Sequence, residues 1–252
     1  MTIAPPTLSP ELLARYDRPV PRYTSYPTAP HFHDGVNADL YRQWLSRVPA
    51  QEALSLYLHV PFCAKMCWYC GCHTKVVGQY APIAAYARTL SREIGLAADA
   101  IGRKARVAHI HWGGGTPTIL AADDFRRLMA DLRERFDVRT DAEIAVEADP
   151  RTLDAGRVAA LADSGVNRVS LGVQDLNPHV QEAINRVQPF EQVADAVNKL
   201  RDAGIMAFNA DLMYGLPYQT EADVRRTVDL IASLRPSRLA VFGYAHVPWM
   251  KT

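Results

Sequence analysis

The sequence predicts an α/β protein that folds as an open, partial (β/α)6 barrel preceded by an irregular N-terminal extension. Six short apolar runs alternate with longer stretches of helical periodicity along residues 51–252. Strands and helices that alternate in this way form parallel sheets with right-handed crossovers. Six units are too few for the usual eight-stranded closed barrel, so we expect the sheet to remain open.

Each predicted strand is a short apolar or alternating run of the kind that buried strands show. The strands cover residues 54–60, 107–112, 143–147, 168–173, 207–212 and 238–244. The predicted helices cover residues 83–100, 122–136, 153–164, 177–184, 191–203 and 221–234. Gly165 and Gly204 directly follow two of these helices, and glycine commonly ends a helix.

The N-terminal extension, residues 1–50, has a different composition. Residues 1–35 are rich in proline and tyrosine, and proline excludes a long helix there. Short helices are predicted at 10–16 and 37–47. The extension could be a loose tail, as termini often are, but its aromatic and arginine content favours packing on the barrel of residues 51–252.

Composition excludes several classes of partner. The 252 residues contain 28 Lys and Arg against 27 Asp and Glu, so no basic excess points to nucleic acid or to an anionic membrane. No N-terminal secretory signal is recognisable, and no apolar run approaches the ~20 residues that span a bilayer. Cysteines clustered in one loop indicate metal binding rather than disulfides. We therefore expect a cytoplasmic protein.

All four cysteines lie in one loop after the first strand, at Cys63, Cys67, Cys70 and Cys72. Four free thiols are one interpretation, although such clustering is rarely incidental. A zinc site is a second, but zinc usually takes two ligand pairs separated by a longer stretch. The third is a 4Fe–4S cluster bound by the first three cysteines, which leaves one iron open for chemistry. With Cys72 as a fourth ligand, the cluster would instead serve electron transfer.

Further polar residues follow the other strands, where the sites of parallel α/β barrels collect. The glycine turn at residues 113–115 allows the backbone to approach a ligand closely. Asp211 lies in an apolar run and requires a buried partner or a function. Arg186 could clamp a carboxylate or be an ordinary surface arginine. His59 could be an ordinary core residue, and Asp149 a surface or helix-capping acid.

The C-x3-C-x2-C spacing after a strand resembles the signature of the radical S-adenosylmethionine (SAM) superfamily. The fuller run of residues 57–72, with its Cys-Gly-Cys ending, resembles one branch, the oxygen-independent coproporphyrinogen III oxidases of haem biosynthesis. The run at residues 21–28, Pro-Arg-Tyr-Thr-Ser-Tyr-Pro-Thr, is similar to the N-terminal extension of that branch, which is thought to lie near the substrate cleft. The resemblance implies a radical SAM partial barrel with one 4Fe–4S cluster and two molecules of SAM.

The resemblance also implies roles for individual residues. The cluster ligands would be Cys63, Cys67 and Cys70. Cofactor contacts would come from Tyr57, Tyr69, Gly114, Gly115, Thr116, Glu147, Gln174, Arg186, Asp211 and Ala245. Among these, Gly114 and Glu147 would bind the SAM that ligates iron, and Gly115, Thr116, Asp211 and Ala245 would surround the second SAM. Cys72 resembles a residue that the family needs without its being a ligand, and we take it with His59 as a candidate catalytic residue.

The implied reaction begins when the reduced cluster cleaves SAM to a 5′-deoxyadenosyl radical. The radical removes a hydrogen from the β-carbon of a propionate of coproporphyrinogen III, and loss of carbon dioxide and one electron leaves a vinyl group. Two propionates react, which gives protoporphyrinogen IX without dioxygen. The resemblance further implies a monomer that takes electrons from a donor such as flavodoxin or ferredoxin.

Two other functions remain open on the same fold. One is a haem chaperone, against which the Cys-Gly-Cys ending and the 21–28 run speak. The other is an electron-transfer protein with a four-cysteine cluster. Members of the family continue into a largely helical domain, so we expect this chain to be an N-terminal fragment that is weakly active or inactive alone.

Overall fold

The computed structural model describes residues 9–17 and 26–245. Its contacts divide the chain into two compact units, residues 1–41 and 42–252. In the first unit, helix α1 (Pro10–Tyr16) begins at Ser9, whose side-chain oxygen accepts a hydrogen bond from the Leu12 amide. This helix was predicted from the sequence and is confirmed. Most of the 21–28 run lies outside the described residues, so its place near a cleft stays a prediction.

The second unit is built on a parallel six-stranded sheet. In chain order, the elements after α1 are α2 (Ala38–Ser46), β1 (Leu54–Val60), β2 (Phe62–Cys63), β3 (Lys75–Val76), α3 (Ala81–Ile101), β4 (Arg106–Gly114), α4 (Ala122–Arg135), β5 (Asp137–Ala148), α5 (Ala155–Asp163), β6 (Arg168–Gln174), α6 (Pro178–Ala183), α7 (Phe190–Asp202), β7 (Ala207–Tyr214), α8 (Glu221–Ser233) and β8 (Arg238–Gly243). The order in the sheet is β1–β4–β5–β6–β7–β8, and every neighbouring pair is parallel. Within the described residues β1 and β8 form the two edges, which confirms the open six-stranded barrel.

Strand β5 is longer than predicted. It begins at Asp137, whereas the sequence placed its start at residue 143. Its first residues are polar and mostly exposed, so they lack the alternation from which strands are predicted. They form a strand because they pair with the start of β4, where Arg106 faces Asp137 and Val107 faces Val138.

The two faces of the sheet differ in polarity because side chains alternate along a strand. One face joins the helices in the apolar core, which includes Ile110, Trp112, Val146, Val169, Leu171 and Phe208. The rings of Trp112 and Phe125 lie 4.9 Å apart between β4 and α4. The other face carries Tyr57, His59, His111, Glu147, Ser170 and Asp211. The polar residues predicted near the strand ends therefore share the inner face of the partial barrel.

Helix boundaries follow local sequence signals. Gly165 and Gly204 both have a positive φ, 75° and 85°, so both predicted helix ends are confirmed. Helix α8 begins with a capping box in which Thr220 and Asp223 exchange side-chain-to-backbone hydrogen bonds. In the part of the chain that the structure describes, no helix combines the length and the hydropathy needed to cross a membrane.

Candidate functional site

A cavity of about 230 Å³ opens at the carboxyl ends of the strands, where the cysteine loop folds over the inner face of the sheet. Most of the residues predicted to act line it: Cys63, Cys67, Tyr69, Cys70, Cys72, Gly114, Gly115, Thr116, Glu147, Gln174, Arg186 and Asp211. Three predicted residues, Tyr57, His59 and Ala245, are outside this lining. The structure thus gathers onto one cavity residues that are spread over about 150 positions of sequence.

The cysteine loop is closed at its base by the short pair β2 and β3, in which Phe62 faces Lys75 and Cys63 faces Val76. The sequence did not predict this pair, because a two-residue strand has no recognisable period. The backbone amide of Val77 also donates a hydrogen bond to the Cys63 carbonyl oxygen, at 3.1 Å. These bonds hold the two ends of the loop together.

Each predicted ligand thiol meets a hydrogen-bond donor. The Thr116 hydroxyl lies 3.6 Å from Cys63 Sγ, and the Cys72 amide lies 3.4 Å from Cys70 Sγ. A hydrogen bond from the Cys72 side chain lowers the pKa of Cys70 to about 6 against the opposing effect of burial. The same bond raises the pKa of Cys72, whereas burial raises that of Cys63.

Cys67 has the strongest donors of the three. Arg186 Nη1 lies 3.4 Å from its sulfur and Arg151 Nη2 lies 3.6 Å from it. Both guanidinium groups also contact Asp149. The alternative of Arg186 as an ordinary surface arginine is wrong, since it is only 6% exposed. Asp149, at 8% exposure, is likewise not a surface acid. The helix-capping alternative is confirmed, since its Oδ1 accepts a hydrogen bond from the Arg151 amide at 3.0 Å at the start of the short 3-10 helix Pro150–Thr152.

The glycine turn at the end of β4 lies directly against the cysteine loop. A Cβ on Gly115 would be 2.6 Å from the Phe62 carbonyl oxygen and 3.0 Å from Cys63 Sγ, so only glycine fits there without a shift of the backbone. Gly114 has φ 114°, and its amide donates to Glu147 Oε2 at 3.2 Å. The turn and the Glu147 carboxylate are therefore one connected unit.

Tyr57 and His59 lie beside this unit on the inner face of β1. The Tyr57 hydroxyl is 3.0 Å from His59 Nδ1, and the Tyr57 ring stacks on His111 with centroids 5.8 Å apart. His111 Nε2 is in turn 3.1 Å from Glu147 Oε1. The prediction that Tyr57 and His59 share one side of the strand is confirmed, and the chain of contacts connects them to Glu147 at the cavity.

Asp211 has the buried partners that its apolar surroundings require. Ser170 Oγ donates to both carboxylate oxygens at 3.1 and 3.0 Å, and Asn209 Nδ2 donates to one of them at 2.9 Å. Burial nevertheless raises the pKa of Asp211 to about 6, and the negative charge of Glu147 acts in the same direction. A carboxyl with this pKa can change its protonation state near neutral pH.

Gln174, Arg186 and Tyr69 also line the cavity. Gln174 adopts a positive φ of 68°. Arg186 Nη2 donates to the Gly172 carbonyl oxygen at 2.6 Å. Tyr69 packs on the small apolar cluster of Val180, Ile184 and Leu216, and burial raises the pKa of its hydroxyl.

The residues that sequence reasoning missed at this site include Arg151, Ser170, Asn209 and His111. Arg151 and Ser170 line the cavity, and Asn209 and His111 contact acids that line it. Strand alternation places His111 and Asn209 on the inner face, and this was the only feature of the sequence from which their presence at the site could have been predicted.

Comparison with known proteins identifies the family. Residues 57–231 match the model of the Radical SAM superfamily. The chain belongs to this superfamily. The match begins at Tyr57, within β1, and covers the cysteine loop and the whole of β4, β5, β6 and β7.

Named relatives refine the assignment. The oxygen-independent coproporphyrinogen III oxidase of Bradyrhizobium diazoefficiens is 59% identical over 92% of this chain and 52% of its own length. That of Paracoccus denitrificans is 45% identical over 95% of this chain and 53% of its own length. The structure of coproporphyrinogen III oxidase from Escherichia coli, a radical SAM enzyme, has a TM-score of 0.85 and 40% identity, over 95% of this chain and 53% of that one. The family resemblance inferred from the cysteine loop is confirmed. The chain spans about half the length of these relatives.

Membership of the radical SAM superfamily implies a 4Fe–4S cluster and SAM, and the cavity suits both. Three thiols on one loop, each beside an N–H or O–H donor, match the ligands and sulfur hydrogen bonds of iron–sulfur clusters. Among residues 9–17 and 26–245, no three His, Cys, Asp or Glu side chains converge on a single metal ion. The thiolates of a four-iron cluster bind separate irons, so they need no such convergence. The roles of the individual residues stay predictions.

Proposed function

We propose that the protein converts coproporphyrinogen III into protoporphyrinogen IX by oxidative decarboxylation of two propionate side chains without dioxygen. The observation that carries this proposal is the single cavity onto which the cysteine loop, the glycine turn and Glu147 converge. The names of relatives that match over 92–95% of the chain support the choice of substrate. The proposed setting is haem biosynthesis in the cytoplasm, by a monomer that takes electrons from flavodoxin or ferredoxin.

In this proposal Cys63, Cys67 and Cys70 hold the cluster, and the fourth iron remains open to SAM. When bound, cluster and SAM together supply the electron transfer and the hydrogen-atom abstraction that start the decarboxylation. Gly114 offers its backbone to that SAM, and the Glu147 carboxylate pairs with the positive groups of the molecule.

The remaining predicted residues are proposed to contact SAM, and Gly115, Thr116, Asp211 and Ala245 to surround a second molecule of it. Gly115 and Thr116 present backbone and hydroxyl groups at the glycine turn, and Arg186 and Asp211 offer opposite charges across the cavity. Gln174, Tyr57, Tyr69 and Ala245 are proposed to make the other contacts with SAM. His59 and Cys72 are proposed to act in the reaction, His59 through its hydrogen bond with Tyr57.

Electron paramagnetic resonance of the anaerobically reconstituted, dithionite-reduced protein tests the proposal. We expect a reduced 4Fe–4S signal whose g-values shift when SAM is added, because SAM would bind the open iron. A signal that is indifferent to SAM would contradict it. Coproporphyrinogen III would then be supplied with SAM and reductant, and the formation of protoporphyrinogen IX measured.

The electron-transfer alternative is separated by two matched variants. Cys72→Ala should keep the cluster, whereas Cys63→Ala should lose it. Loss of iron and sulfide from Cys72→Ala at a level equal to Cys63→Ala would favour a cluster held by four cysteines. Tight haem binding without SAM cleavage would favour the haem chaperone.

A further inference from the structure

Arg151 is a partly buried cation that sequence reasoning gave no role. It lies just after the end of β5, and its side chain is 14% exposed. Nε donates to Asp149 Oδ1 at 3.0 Å and Nη2 donates to Oδ2 at 2.7 Å. A two-pronged contact of this kind fixes the guanidinium plane. The fixed Nη2 also lies 3.6 Å from Cys67 Sγ.

A second guanidinium group approaches the same sulfur from β6's side of the cavity. Arg186 Nη1 lies 3.4 Å from Cys67 Sγ and 3.4 Å from Asp149 Oδ2. The Arg186 and Asp149 side chains are 8% and 10% exposed. Two guanidinium cations therefore lie against one sulfur, and the single carboxylate that pairs with both leaves these three side chains with a net charge of +1.

This charge arrangement has a direct electrostatic consequence. A 4Fe–4S cluster gains one negative charge when it is reduced, and its potential depends on nearby charge and on hydrogen bonds to its sulfurs. Charges interact more strongly where water is excluded. A positive charge held against a ligand sulfur favours the reduced form, and a negative charge disfavours it.

We propose that Arg151, together with Arg186, raises the reduction potential of a cluster bound through Cys67, and that Asp149 orients Arg151 and limits the rise. Arg151 is thus a positioned redox-tuning residue rather than a ligand. The inference rests on the cluster in the proposed function and is independent of the choice of porphyrinogen as substrate.

The pKa of Asp149 is consistent with its part in this group. Burial by itself would raise that pKa, but the hydrogen bonds from Arg151 and the charges of both arginines outweigh it and lower the pKa below its ordinary value. Asp149 therefore stays ionised at neutral pH and opposes the two cations.

The test is a redox titration of the reconstituted protein, without SAM, followed by electron paramagnetic resonance. Arg151→Gln should lower the midpoint potential because it removes a cation. Asp149→Asn should raise it because it removes an anion, while the asparagine oxygen can still accept one of the two Arg151 hydrogen bonds and keep the guanidinium beside the sulfur. Arg151→Lys should have a midpoint potential closer to wild type than Arg151→Gln has. Lysine keeps the positive charge and loses only the two-pronged contact with Asp149. Arg126→Gln is the matched control, because Arg126 on helix α4 pairs with Asp123 of the same helix and Asp163 of α5 and does not line the cavity.

The opposite signs separate electrostatic tuning from mere structural support, which would lower cluster content in both variants alike. A midpoint for Arg151→Gln equal to wild type at full iron content would overturn the proposal. A fall for Asp149→Asn would also overturn it. If Arg151→Gln fails to bind iron, the test rests on the other two variants. The midpoint potential of Arg151→Lys should then lie near that of wild type and the midpoint of Asp149→Asn above it, and a fall for Asp149→Asn overturns the proposal. A wild-type protein that binds no iron and sulfide would overturn the proposed function together with this proposal. An unchanged midpoint potential in variants that do hold the cluster would overturn this proposal alone, so the two failures are distinguishable.

Discussion

Replacement of Asp211 by asparagine should stabilise the cofactor-free protein at neutral pH. The Asp211 carboxylate accepts hydrogen bonds from Ser170 and Asn209, yet burial and the nearby charge of Glu147 raise its pKa from 3.8 to about 6. The ionised carboxylate is therefore less favourable in the folded protein than in the unfolded chain. In the proposed function this charge would favour the binding of a positively charged ligand such as SAM.

The size and the sign of the effect follow from the two pKa values. Because the folded pKa is the higher one, the folded state binds more protons between about pH 4 and pH 6, and the free energy of unfolding falls as pH rises through that window. A pKa difference of about two pH units corresponds to about 3 kcal/mol. Asparagine removes this cost but offers one acceptor oxygen fewer to Ser170 and Asn209, a loss of about 1 kcal/mol. We expect a net gain of about 1–2 kcal/mol near neutral pH and no gain near pH 4.

Urea unfolding of wild type and Asp211→Asn, both free of cofactor and under reducing conditions, measures the difference by linear extrapolation. The comparison is made at about pH 4.5, near the lower end of the titration window, and at about pH 7.5, above it. Asp99→Asn is the control, because its side chain is 72% exposed. A stability difference between Asp211→Asn and wild type that is the same at both pH values would refute the reasoning. So would a variant that is less stable than wild type at the higher pH.

Two further predictions concern the glycine turn and the core. Gly115→Ala should destabilise the protein by about 1–3 kcal/mol and reduce iron uptake, because the new methyl group would lie 2.6 Å from the Phe62 carbonyl oxygen and 3.0 Å from Cys63 Sγ. Gly78→Ala, where nothing lies within 4 Å, is the control, and normal iron content with an unchanged urea midpoint for Gly115→Ala would contradict the prediction. Trp112→Ala should cost about 3–5 kcal/mol in urea unfolding, since the ring is fully buried. Trp112→Phe should cost clearly less, because the indole N–H has no hydrogen-bond partner among the described residues; equal losses would contradict this.

The sequence by itself determined the strands of the barrel and the location of the site. Buried parallel strands such as β6 appear as short apolar runs because each must bury a row of side chains against helices. The four cysteines lie within ten residues of one another, so their spacing was sufficient to predict a shared centre. Residues at strand ends could be assigned to one edge, because parallel strands bring their carboxyl ends together.

Only the tertiary structure decided which groups touch. Arg151 meets Cys67 across 84 positions of sequence, and Ser170 meets Asp211 across 41. No local pattern encodes such distances, since they depend on how far the strands twist and how the loop folds back on them. The start of β5 was missed for the same reason, because its polar residues form a strand only through pairing with β4. Periodicity and spacing report what a segment must bury, whereas the charges around the Cys67 sulfur depend on where separate segments meet.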